Sequence, residues 1–234
     1  MANEDGRQRE GSDVGLVGGR LEERVRHTRV PALALEHVLA PYRRPGDDAA
    51  FEAFVARRPL HVEIGFGRPH FICDLAAQRP DAAVLGFEIK RRWVGAAARR
   101  AARDGLANLR VVEGDARPYL ERLVPRASVA GFYILFPDPW WKKRHHKRRL
   151  FQPSFVELLG DLAMDGGELI VRTDVDAYAD LIFEEVPDVG GWRLASTDAA
   201  DPAQLALPRS HREKKCQELG IPAFHFRFVR EDRP

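Results

Sequence analysis

Phe136-Pro137-Asp138-Pro139-Trp140-Trp141 sets one carboxylate between two prolines and directly ahead of two indoles. The next eight residues, Lys142 to Arg149, are all Lys, Arg or His. Each of these types has chemistry that suits a nucleic acid. A dense cationic run grips a phosphate backbone, and an indole offers a stacking face to a base. A carboxylate can accept from the N–H edge of a purine. The residues before Asp138, from Val129 to Phe136, are apolar enough to form a buried strand, so the acid stands at a strand's end. His145 and His146 have no Cys or acid at ligand spacing, and no metal is expected.

Four further acids follow the same rule of position. Glu63 lies at the end of Leu60-His61-Val62-Glu63-Ile64, just ahead of Gly65-Phe66-Gly67. Glu88 closes Ala83 to Glu88, Asp115 follows Leu109 to Glu113 and Gly114, and Asp174 follows Glu168 to Arg172. Helical stretches alternate with these runs, through Trp93, Ala97 and Ala101, through Phe155 to Met164, and through Tyr178 and Phe183. Strand–helix alternation implies an α/β fold, a Rossmann-like, mostly parallel sheet covered by helices on both faces. Such sheets bind ligands outside the carboxyl ends of their strands, where all five acids would collect. Trp192 to Leu194 and Ala223 to Val229 read as two more strands in an antiparallel hairpin, giving seven in all.

At 234 residues with 44% apolar content, the chain can bury the core of one domain of generous size. Its formal charge is only +2, so positive charge is concentrated locally and does not coat the molecule. Residues 1–25 read as a polar disordered tail and 26–58 as a helical lead-in, with short helical patterns at Leu33 to Val38 and Phe51 to Val55. Residues 59–234 read as the main domain. Cys73 and Cys216 form no CxxC pattern, which fits a reducing compartment. The N-terminus has no apolar stretch of the kind a signal peptide needs, and no 18-residue apolar span occurs, so a cytoplasmic protein is expected.

The glycine turn after the first strand invites a dinucleotide reading. That motif needs a third glycine three residues after the second, and His70 stands there. An adenosyl cofactor without a pyrophosphate fits better. Glu88 would accept from both ribose hydroxyls and Asp115 from the adenine amino group. Glu63 would sit near a cationic methionine portion.

Val62-Glu63-Ile64-Gly65-Phe66-Gly67, Gly86-Phe87-Glu88, Glu113-Gly114-Asp115-Ala116 and the block from Phe136 through Arg149 resemble the bacterial tRNA (guanine-N7-)-methyltransferases. The resemblance runs from about residue 60 to the C-terminus. It implies a class I methyltransferase fold, S-adenosyl-L-methionine as cofactor, and 7-methylguanosine in the variable loop of tRNA as product. By motif match, Glu63, Gly65, Gly67, Glu88, Asp115 and Asp138 would line the cofactor side, with Asp138 also catalytic. Lys142, Asp174, Ser210 and Glu213 would match substrate-binding positions. The expected partner is tRNA, with no membrane and no metal, and the protein would work as a monomer or homodimer. Three residues depart from the family pattern. Pro69 replaces a glycine, Trp141 a proline, and Arg212 the aromatic of a Thr-x-Phe-Glu segment that here reads Ser210-His211-Arg212-Glu213.

Guanine N7 has a lone pair and no proton, so its methylation needs positioning and electrostatics but no general base. Asp138 is therefore expected to hold the N1–H and N2–H edge of the base and to offset developing positive charge. Two other classes compete for the same residues. Asp138-Pro139-Trp140 loosely resembles the loop of amino-group methyltransferases, which leaves the basic run unexplained. A non-catalytic RNA-binding module on the same fold would not need Glu63, Glu88, Asp115 and Asp138.

Overall fold

The computed structural model describes residues 36–39, 47–57, 59–140, 149–187 and 189–232. Trp141 and the basic run from Lys142 to Arg148 therefore lie outside the described residues, as does the N-terminal tail. Among the described residues, eight strands form one sheet. In chain order they are β1 (Val38–Leu39), β2 (Leu60–Ile64), β3 (Ala83–Glu88), β4 (Leu109–Glu113), β5 (Val129–Leu135), β6 (Ala163–Thr173), β7 (Trp192–Ser196) and β8 (Phe224–Arg230). The helices are α1 (Asp47–Val55), α2 (His70–Gln78), α3 (Arg91–Asp104), α4 (Ala116–Leu123), α5 (Pro153–Leu162), α6 (Asp176–Glu185), α7 (Pro202–Leu205) and α8 (His211–Leu219).

The spatial order is β1-β4-β3-β2-β5-β6-β8-β7. Pairing is parallel from β1 through β6 and antiparallel where β8 joins β6 and β7. The expected seven strands are β2 to β8, and β7 and β8 are antiparallel as expected. They are not joined by a tight turn, because α7 and α8 are inserted between them. Of the helical reading of Leu33 to Val38, the first three residues lie outside the described residues, and the eighth strand corrects its end. Glu36 and His37 make a short 3-10 turn, and Val38 and Leu39 pair with Val111 and Val112 at the sheet edge. Two apolar residues facing an open strand edge gain more from its hydrogen bonds than from an unsupported helical turn.

Every residue of β2 and β3 is buried, as a parallel strand covered on both faces requires. One core layer joins Phe51 of α1, Leu120 of α4, Phe155 and Leu159 of α5 and Ile182 of α6 to one face of the sheet. The opposite layer joins Phe71, Ile72 and Leu75 of α2 and Val94, Ala97 and Ala101 of α3, and takes in Leu207 of the α7–α8 insert. The strand order reverses between β2 and β5. That switch point opens a crevice at the carboxyl ends of both strands, one closed by Glu63 and the other leading to Asp138. No helix among the described residues is long and apolar enough to cross a membrane.

Candidate active site

Glu63, Gly65, Gly67, Glu88, Asp115, Asp138, Asp174 and Ser210 all line one cleft of about 1050 Å³ at this switch point. The acids arrive from successive strand ends and the serine from the insert, so residues up to 147 positions apart in sequence share one wall system. Of the expected site residues, Glu213 is not part of the lining, and Lys142 lies outside the described residues.

The glycine turn is shaped by backbone conformation. Gly65 has φ of 73° and Gly67 of 52°, both left-handed values that cost an L side chain strain. A Cβ on Gly65 would meet no atom within 4 Å, so the requirement there is conformational and not one of crowding. Glu88 fixes the turn in place: its Oε2 accepts from the Gly67 N–H at 2.8 Å and its Oε1 from the Lys90 N–H at 2.7 Å. Asp115 caps α4, accepting from the Arg117 N–H at 3.1 Å, and remains exposed to the cleft. Pro69 occupies the N-cap of α2 with φ of −79°, a value proline adopts without strain.

Glu63 is the most buried of these acids, only 2% exposed, and its Oε2 has no hydrogen-bond partner among the described residues. Burial raises its pKa well above the ordinary carboxylate value, and the neighbouring charge of Glu88 raises it further, while Arg172 opposes both. An orphaned carboxylate oxygen facing a cleft is suited to a cationic ligand group.

The Asp138 loop is held under strain at both ends. Phe136 has φ of 54° and Trp140 of 46°, positive values that side-chain-bearing residues rarely adopt. The Phe136 N–H donates to the Arg172 carbonyl at 2.6 Å, and the Arg149 Nε–H donates to the Pro139 carbonyl at 3.0 Å. Between these anchors Asp138 is exposed at the cleft.

On the far side, Asp174 follows the end of β6, and its Oδ2 accepts from the Arg212 Nε–H at 3.0 Å and also from Nη2. Arg212, which replaces an aromatic of the family pattern, thus caps the Asp174 carboxylate. Ser210 and Glu213 form a reciprocal N-terminal cap on α8: the Ser210 hydroxyl accepts from the Glu213 N–H at 3.1 Å, and Glu213 Oε2 accepts from the Ser210 N–H at 3.3 Å. Glu213 also pairs with Arg172 at 2.6 Å. Sequence reasoning missed Arg172. The signal was there, as an arginine directly after the apolar run Leu169-Ile170-Val171 and still within the strand ahead of Asp174. It also missed Arg68, whose Nη1 lies 2.8 Å from His211 Nε2 at the cleft wall.

A Rossmann-like sheet ending in an antiparallel pair, with acids from successive strand ends around a glycine turn, defines a class I methyltransferase. Solved structures share this fold: the 16S rRNA methyltransferase KamB superposes with a TM-score of 0.61 at 16% identity, covering 84% of this chain and 99% of that one. A 16S rRNA (adenine(1408)-N(1))-methyltransferase variant from Catenulisporales acidiphilia, with cosubstrate SAM, superposes with a TM-score of 0.50 at 20% identity. That match covers 82% of this chain and 94% of that one.

The family model "Putative methyltransferase" matches residues 57–226. The tRNA (guanine-N(7)-)-methyltransferase of Mycobacterium avium is 36% identical over 80% of this chain and 73% of its own length. That of Nitrosococcus oceani is 37% identical over 88% of this chain and 87% of its own. The chain belongs to the tRNA (guanine-N(7)-)-methyltransferase family.

Proposed function

We propose that this protein transfers the methyl group of S-adenosyl-L-methionine to N7 of a guanosine in the variable loop of tRNA, forming 7-methylguanosine. The observation that carries the reading is the meeting of Glu63, Glu88, Asp115 and Asp138 in one cleft, in a chain of this family. Work on tRNA implies a cytoplasmic protein.

The residues present fit the cofactor. Glu88 is oriented by two backbone N–H groups and keeps lone pairs for ribose hydroxyls. Asp115 offers an acceptor for the adenine amino group, and the open backbone at Gly65 and Gly67 allows close approach. Glu63 supplies the counter-charge for the ammonium of the methionine portion. When bound, the cofactor supplies a sulfonium methyl group, which the N7 lone pair takes as the S–C electron pair leaves on sulfur.

The chain's own work is then placement. Asp138 accepts from N1–H and N2–H of the guanine and turns N7 toward the cofactor side. Its negative charge offsets the positive charge that grows on the base as N7 is alkylated. The hydrogen bonds at Phe136 and Pro139 anchor the backbone that carries this carboxylate before substrate arrives. Asp174 and Ser210 belong to the tRNA side, and Lys142 with the rest of the basic run grips the phosphate backbone.

Incubation with S-adenosyl-L-methionine and unmodified tRNA, followed by nuclease digestion and mass spectrometry, tests the reading. It expects 7-methylguanosine from the variable loop. Methylated adenine or an exocyclic amine product would overturn it.

A further inference from the structure

Arg172 is 1% exposed, and a buried guanidinium is held only where several acceptors meet it. Its Nη1 donates to Glu213 Oε2 at 2.6 Å and to the Pro208 carbonyl at 3.3 Å, and its Nη2 to the Gln204 carbonyl at 3.2 Å. Those three acceptors span the insert, from α7 through the loop at Pro208 to the first turn of α8. The Arg172 carbonyl in turn accepts from Phe136 N–H, which starts the Asp138 loop. In the sheet, Arg172 is in register with Leu135 of β5 and His225 of β8. Two residues further on is Asp174. One side chain and its own backbone therefore join the Asp138 loop, the Asp174 turn and the Ser210–Glu213 cap.

One carboxylate oxygen of Glu213 is turned toward β6 and the α8 cap. That oxygen, Oε2, serves both Arg172 and the Ser210 N–H, and its residue is absent from the cleft lining. We infer that Arg172 is the positioning residue that sets the tRNA-side wall against Asp138, and that Glu213 acts with it through their ion pair and the α8 cap. A lysine could not replace it, since a single ammonium lacks the planar fork that reaches Glu213, Pro208 and Gln204 together. The inference rests on the proposed tRNA reaction and assigns within it a role that sequence matching gave to direct substrate contact.

The test is a double-mutant cycle of Arg172→Lys and Glu213→Gln on the full chain, with tRNA turnover, tRNA affinity against salt and cofactor affinity measured for each protein. Each single variant is expected to lower kcat for tRNA by about tenfold, with cofactor Kd unchanged and the salt slope of tRNA binding unchanged. The double variant should lose no more than the worse single, because both break one unit. Multiplying losses would overturn the inference, as would a Glu213→Gln effect confined to tRNA affinity. If Arg172→Lys does not fold, Glu213→Gln alone still decides: a lower kcat at unchanged tRNA affinity supports the inference, and weaker tRNA affinity at unchanged kcat refutes it. A wild-type protein that leaves tRNA unmodified would instead bring down the functional reading itself, and the inference with it.

Discussion

The two walls of the cleft are built in different ways. The wall proposed to hold the cofactor draws on neighbouring strand ends: Glu63, Gly65 and Gly67 come from one, Glu88 from the next, and Asp115 from the one beyond. Each sits at the end of its own strand, the register Glu63↔Gly86 and Glu88↔Glu113 brings the segments side by side, and Glu88 ties its strand end to the glycine turn. The wall proposed to meet tRNA is assembled at long range. Asp174 is capped by Arg212 from α8, 38 positions away, and Arg172 reaches 41 positions to Glu213. A local wall survives wherever the sheet survives. The far wall depends on the insert docking correctly, through its polar links and through Leu207 in the core layer.

Substitutions can break this contrast at the joint or on either side of it. The largest effect is expected at Asp138, to which the proposed reaction gives a part on both walls. Asp138→Asn keeps the shape and removes the charge, so kcat should fall by about 100-fold, the scale of losing one preorganised electrostatic partner. Near-wild-type turnover by that variant would mean that Asp138 only shapes the loop. Next in size is the basic run. Neutralising Lys142, Lys143 and Arg144 together should reduce the slope of log affinity for tRNA against log salt by about 2, at roughly 0.7–0.9 for each phosphate no longer neutralised. Cofactor affinity should not change, and an unchanged salt slope would remove these residues from the tRNA wall.

A smaller and more selective effect is expected at Glu63. Its folded-state pKa is raised by burial and by Glu88, so the stability it contributes is full below the ordinary carboxylate pKa and is lost as pH rises through the folded value. Glu63→Gln should therefore raise the melting temperature of the cofactor-free protein at neutral pH and leave it little changed at acid pH. The same substitution should weaken cofactor binding by about tenfold, the equivalent of one pKa unit of interaction. Ammonium binding beside Glu63 favours its ionised form, so cofactor binding to the wild type should release protons. Calorimetry in buffers of different ionisation heat reads that release, and a proton count of zero that is unaffected by Glu63→Gln would remove Glu63 from the cofactor wall.

Much of the architecture was legible in the sequence because a parallel sheet imposes its own pattern. Buried strands must be apolar throughout, as in Leu60 to Ile64 and Val129 to Leu135, and polar residues therefore mark where each strand ends. Acids at those ends share one rim whatever lies between them. Only short-range logic was needed to gather Glu63, Glu88, Asp115 and Asp138. The edge strand Val38–Leu39 was not legible, since two residues carry no period and their pairing depends on the open edge of β4.

The sequence by itself determined the class of fold, the gathering of the strand-end acids at one cleft and the glycine turn, because strand burial and left-handed backbone geometry act over a few residues. The strain at Phe136 and Trp140, the capping of Asp174 by Arg212 and the turning of Glu213 toward Arg172 were decided by tertiary structure. These features depend on how the α7–α8 insert lies against the end of β6. A buried guanidinium finds its acceptors by proximity in space, and no local pattern in the chain specifies that proximity.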